Sequence, residues 1–174
     1  GDPAFGLFFW IRCAVASGAT RFESAPGLAS FTLRFDGAPL KREELRDPYG
    51  ALFEADAPRR RRYLAYGMLW VMRLAPGEAT LVSGPSGGRF KLTARDLATE
   101  TLAPDDEAGQ DTVLRVSGLW RHLGSRTWSA SAAKMAERCA AAPLRLIRGG
   151  MDVLPTARRA SALAFALPSP AAAP

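Results

Sequence analysis

Phe31-Thr32-Leu33-Arg34-Phe35-Asp36-Gly37-Ala38-Pro39-Leu40 decides the fold class. Phe31, Leu33 and Phe35 alternate with Thr32 and Arg34, the period of two that buries one face of a strand and wets the other. Asp36-Gly37-Ala38-Pro39 breaks the strand, since proline fixes φ and has no N–H to give a ladder. Upstream, residues 4–17 carry Phe5, Phe8, Phe9, Ile11 and Val15, with Arg12 the only charge. A helix apolar nearly all round must be covered on most sides, and Gly18 is placed to end it. Thr20 to Ser24 reads as a short strand, and Ala25-Pro26-Gly27 turns it into the next.

Downstream, Lys41 to Glu54 is amphipathic and predicts a helix interrupted near Pro48. Arg59 to Leu74 predicts the second long helix, opening on Arg59-Arg60-Arg61-Arg62 and stopped by Pro76-Gly77. Three strands follow: Ala79 to Ser83, Arg89 to Thr93 and Thr112 to Ser117. Pro85-Ser86-Gly87-Gly88 makes a hairpin of the first two. The acidic stretch 103–111 reads as a solvated loop, 131–142 as an Ala-rich helix, and Leu144 to Ile147 as a last short strand. Strands joined by short turns imply a mixed, mostly antiparallel sheet with helices on one face. The expected class is therefore α+β, a two-layer sandwich with residues 4–17, 59–74 and 131–142 covering Phe31, Leu33, Leu81 and Leu114. The domain is expected to span 1–154, with 155–174 a C-terminal extension whose Pro/Ala-rich end is disordered.

The chain has 174 residues, enough for one domain with a real core. No apolar run reaches the ~18 residues of a membrane span. Residues 1–11 are apolar but lack a basic lead, so no secretory signal is expected. Cys13 and Cys139 give neither a disulfide framework nor a metal spacing, which makes a reducing cytoplasm the expected compartment. Of 23 basic residues 20 are Arg, and the net charge is +6. Residues 95–111 carry a net of −5 and residues 112–174 a net of +7, an acidic loop followed by a basic final third.

Several local stretches then align with one family. Ala16-Ser17-Gly18-Ala19-Thr20-Arg21-Phe22 resembles the segment that follows the first ATP-binding helix of MutL-type mismatch-repair ATPases. Leu33 to Leu40 stands where that family has its Asp-Asn-Gly-x-Gly turn. Arg42-Glu43-Glu44-Leu45 resembles the heat-shock chaperone branch. Leu64-Ala65-Tyr66-Gly67-Met68-Leu69-Trp70 is similar to the glycine box that touches phosphates, and Ala79 to Ser83 to the strand after it. Thr112-Val113-Leu114-Arg115-Val116 resembles the strand that closes the adenine pocket. Together they resemble the GHKL (Bergerat-fold) ATPase superfamily over residues 5–120, and more loosely to 154.

The resemblance implies nucleotide-contacting positions at Cys13, Asp36, Gly37, Gly67 and Thr112, and implies that the chemistry has been lost. The family's general-base Glu falls on Phe9, which takes no proton. Its Mg²⁺-binding Asn falls on Cys13, a poor ligand for an ion that prefers hard oxygen donors. In the ungapped register, which the strand alternation favours, Phe35 holds the adenine-reading Asp position and Asp36 the Asn position. A one-residue shift would put Asp36 at the adenine-reading position and delete the Asn. The turn's second glycine is Pro39. No catalytic residue and no metal ligand remain. The implied function is a degenerate, non-hydrolysing ATPase-like domain with no cofactor, acting through a protein partner or homo-oligomer as a chaperone-like or regulatory module. The alternatives are a weak binder of ATP with Mg²⁺, and a basic nucleic-acid-binding module using Arg59, Arg60, Arg61 and Arg62.

Each position has a plain structural reading too. Gly67 suits close helix packing, Asp36-Gly37 is a common turn, Thr112 is an ordinary strand residue, and Cys13 is a small buried hydrophobe. Phe9 is expected to face and fill the old nucleotide pocket.

Overall fold

A computed structural model describes residues 4–98, 100–120, 138–139 and 142–153. The first helix, α1 (Ala4–Ala16), ends as Gly18 predicts. Gly18 sits at φ +70°. The Ala19 N–H donates to Ala14 O and the Gly18 N–H to Val15 O, each at 3.0 Å, so two of the helix's last carbonyls are satisfied. Two strands follow, β1 (Arg21–Pro26) and β2 (Phe31–Phe35). The helix expected over 41–54 is cut to α2 (Arg42–Arg46) and a 3-10 turn at Gly50–Leu52. Pro48 disfavours helical backbone at Asp47, which takes φ −135°, ψ 77°.

The second long helix is α3 (Arg59–Arg73), and the strands β3 (Glu78–Ser83), β4 (Arg89–Ala94), β5 (Glu100–Asp105) and β6 (Thr112–Ser117) come after it. A final hairpin is β7 (Arg145–Arg148) with β8 (Met151–Asp152). Among the described residues eight strands form one sheet in the order β5-β4-β3-β6-β2-β1-β7-β8. Every pairing is antiparallel except β1 with β7. The fold is α+β with a mixed, mostly antiparallel sheet. Most of the helix expected over 131–142, and all of 155–174, lie outside the described residues.

Pairing register builds the core. Leu33, Leu114, Leu81 and Leu92 are neighbours across β2, β6, β3 and β4, and all four are buried. Phe31 lies in the next row and contacts the Trp70 ring of α3 at 5.6 Å. Phe22 and Phe35, paired across β1 and β2, stack at 6.2 Å. The helices α1 and α3 pack through two tryptophan–glycine contacts. Trp10 of α1 lies against Gly67 of α3, and Trp70 of α3 against Gly6 of α1. A missing Cβ at each glycine makes room for an indole on the other helix.

The acidic stretch is corrected in two ways. Glu100–Asp105 is the edge strand β5, not loop. The remainder is tied to the sheet at Glu107 and Asp111, while Asp106, Ala108, Gly109 and Gln110 stay exposed. Arg115 bonds Glu107 at 2.6 Å and Arg21 bonds Asp111 at 3.0 Å. Arg34 approaches Asp111, and buried Arg89 donates to Asp111 O at 2.6 Å. By strand alternation these four arginines share the face opposite the helices. The segment therefore covers that face, where Val82 and Val113 are buried.

Candidate functional site

The register Phe35↔Thr112 brings the end of β2 and the start of β6 together, and with them Asp36, Gly37 and Thr112. Asp36 turns toward β1. Its Oδ1 accepts the Thr20 and Arg21 N–H groups at 2.8 Å each, and its Oδ2 accepts the Thr20 hydroxyl at 2.5 Å. Partial burial acts to raise its carboxyl pKa, but these donors outweigh it and hold the group below the usual carboxylate value. Both oxygens are committed to the chain's own backbone turn.

Gly37 has φ +98°. A Cβ there would lie 2.7 Å from Ser17 O and 2.8 Å from Ala19 N. Glycine is required because the turn after β2 presses on the turn after α1, where the Ala38 N–H donates to Ser17 O at 2.8 Å. Thr112 is buried, its hydroxyl 2.7 Å from that of Ser83, and Ser83 Oγ accepts the Leu40 N–H at 2.9 Å. Ser83 and Leu40 were not singled out from sequence. Ser83 shows in sequence only as a hydroxyl at a strand end, which is too common to read, and Leu40 contributes only its backbone N–H.

Cys13 is fully buried in the core of α1. Burial pushes its thiol pKa up to about 12, with nearby Arg60 lowering and Glu44 raising it. Glu44 and Arg60 are the site residues that sequence reasoning missed as a pair. Arg60 grips Glu44 through two nitrogens, Nε to Oε1 at 3.1 Å, and Glu44 Oε2 also accepts the Lys41 N–H at 2.8 Å. This ties α3 to α2. A cleft of about 580 Å³ opens beside it, lined by Lys41, Glu44, Pro58, Arg60 and Arg61.

Gly67 stands apart from these residues in the middle of α3, which runs unbroken from Arg59 to Arg73. A Cβ on Gly67 would lie 2.8 Å from Trp10 Cε2 and 2.9 Å from its Nε1. Phe9 is not the buried plug expected. It is half-buried, stacks on Tyr66 at 5.2 Å and lines an open groove.

The basic run at the start of α3 is largely spoken for. Arg60 holds Glu44, and Arg61 holds Glu54 through two nitrogens at 2.6 and 2.9 Å. Arg62 donates to Ala55 O. These partners offset the unfavourable placement of cations at a helix N-terminus. Among the described residues, no helix is long and apolar enough to cross a membrane.

No protein-family model and no curated protein matches the chain. Its fold is similar to solved structures, among them the crystal structure of the N-terminal domain of a DNA repair protein. That likeness has a TM-score of 0.53 at 13 % identity, over 84 % of this chain and 48 % of the other. The chain thus spans about half the length of that neighbour. At such identity the likeness carries the fold and not the chemistry.

Proposed function

We propose that the chain is a degenerate GHKL-type domain that does not hydrolyse ATP and acts by binding other proteins, in a chaperone-like or regulatory role. The observation that carries this is the fate of the phosphate-box position. Gly67 lies inside a continuous helix with a fully buried indole against it. Helical backbone spends its N–H groups on its own carbonyls, so no cradle of free amides is left there for phosphates.

The other positions do not fit Mg²⁺·ATP either. Asp36 spends both oxygens on Thr20 and Arg21, Cys13 is a buried protonated thiol, and Phe35 is packed on Phe22. The fold neighbour is the N-terminal domain of a DNA repair protein, and the MutL-type resemblance points to the same kind of protein. The nucleic-acid alternative is weakened because three of the four arginines at the start of α3 already have partners within the chain.

The test is thermal unfolding with and without millimolar ATP and Mg²⁺. A ligand at 100 times its Kd stabilises by ~2.7 kcal/mol, which is roughly 5–11 °C for a chain of this size. The expected shift is below about 1 °C, with no phosphate released. A clear ATP-dependent rise would replace the proposal with a weak ATP-binding domain using the Lys41–Arg60–Arg61 cleft.

A further inference from the structure

A separate groove of about 570 Å³ lies along α1 and the first turn of α3. Its size falls within the ~300–1,000 Å³ typical of small-molecule sites. Phe8, Phe9, Ile11 and Tyr63 supply an apolar and aromatic lining. Arg12, Arg59 and Arg138 also line it, and among the described residues no acidic or amide side chain does.

Arg21, Arg34, Arg60, Arg61, Arg95, Arg115 and Arg145 all sit on carboxylates. Among the described residues, none of the groove's three does. Arg42, Arg46, Arg62 and Arg73 also lack a carboxylate partner among the described residues, but the groove gathers three such arginines on one apolar lining. Arg12 lies over the Tyr63 ring at 5.8 Å and Arg138 over the Phe8 ring at 5.6 Å. A ring face orients a guanidinium but leaves its charge and its forked donors unneutralised. Arg59 adds a third cation without a carboxylate partner among the described residues, and three cations around one apolar groove favour an anion between them.

We propose that this groove binds a small amphipathic anion, a single carboxylate or phosphate head on an aliphatic or aromatic body. The head takes forked hydrogen bonds from the arginines, the geometry that guanidinium offers best. The body lies on Phe8, Phe9 and Ile11. A nucleotide matches less well, because among the described residues the lining offers a base no carboxylate or amide acceptor and only the one hydroxyl of Tyr63. The groove shares only Ala16 with the Lys41–Arg60–Arg61 cleft, so the inference stands apart from the nucleotide question.

Calorimetric titration of the full chain tests it with sodium decanoate, decanol and inorganic phosphate as probes. One decanoate should bind per chain, with decanol weaker by about tenfold, the worth of one charge-assisted hydrogen bond. Phosphate alone should give no saturable heat. Raising salt should weaken decanoate and not decanol. Arg12→Gln and Arg59→Gln alter exposed side chains, so both variants should melt like wild type and each bind decanoate several-fold more weakly. Absence of decanoate binding, equal affinity for decanol, or an unchanged affinity in the Arg12→Gln/Arg59→Gln double variant would overturn the proposal. The decanol comparison uses the unaltered protein and decides the matter even if a variant fails to fold.

Discussion

Gly67→Ala separates a packing glycine from a ligand glycine. In an ordinary helix interior the change should stabilise by about 0.8–1.0 kcal/mol, because alanine loses less backbone entropy. Here the new methyl would stand 2.8 Å from Trp10 Cε2, inside any normal contact. Trp10 is 0 % exposed and enclosed by the core, so the ring cannot swing into water to make room. Overpacking of this kind costs about 1–3 kcal/mol. The packing term wins in most of that range, leaving a net loss of roughly 0–2 kcal/mol, or up to about 8 °C in Tm. The decisive assay is a double-mutant cycle with Trp10→Phe, read by thermal or urea unfolding. Phenylalanine is smaller, so in its presence Gly67→Ala should cost nothing or stabilise. The coupling expected between the two sites is about 0.5–3 kcal/mol. A Gly67→Ala protein more stable than wild type, with additive behaviour in the cycle, would refute the argument and reopen a ligand role for that glycine.

Two further predictions concern the remaining positions. Asp36→Ala strips three donors of their acceptor and should cost about 1–2 kcal/mol at neutral pH, given partial exposure. The folded carboxyl pKa is depressed, so this stability is present above the ordinary carboxyl value of about 3.9 and is lost as pH falls through the folded value. The melting curves of variant and wild type should therefore converge in acid, and a gap that stays constant to pH 2 would sink the clamp. Cys13, with its pKa near 12, should have roughly one thiolate in 10⁴ at pH 8. It should escape iodoacetamide in the native protein and react after denaturation. Prompt native labelling of Cys13, located by peptide mass spectrometry, would contradict its burial.

Much of the fold was legible because its signals are local. The alternation in Phe31 to Phe35, the turn at Pro85 to Gly88, and the glycine closing α1 each record structure within a few residues. The strand β5 was missed for the converse reason. Its inward residues Glu100, Leu102 and Pro104 make no apolar stripe, and it is a strand because β4 offers it an edge. Proline is tolerated there, since an edge strand has donors to spare. The parallel β1–β7 pairing joins segments more than a hundred residues apart, and nothing local records it.

The candidate site divides along the same line. The sequence by itself placed Cys13, Asp36, Gly37, Gly67 and Thr112 at positions resembling an ATPase, and fixed that Phe9, Cys13 and Pro39 lack the chemistry those positions need. It left open whether Gly67 served a ligand or a neighbour and whether Arg59 to Arg62 were free. Only the tertiary structure supplied their neighbours. Trp10 lies 57 residues before the glycine it covers, and Glu44 and Glu54 come from other elements to hold Arg60 and Arg61. A side chain's local preference is written in its own type and its near neighbours. Its partner is chosen by chain closure, which brings together groups that share no local signal.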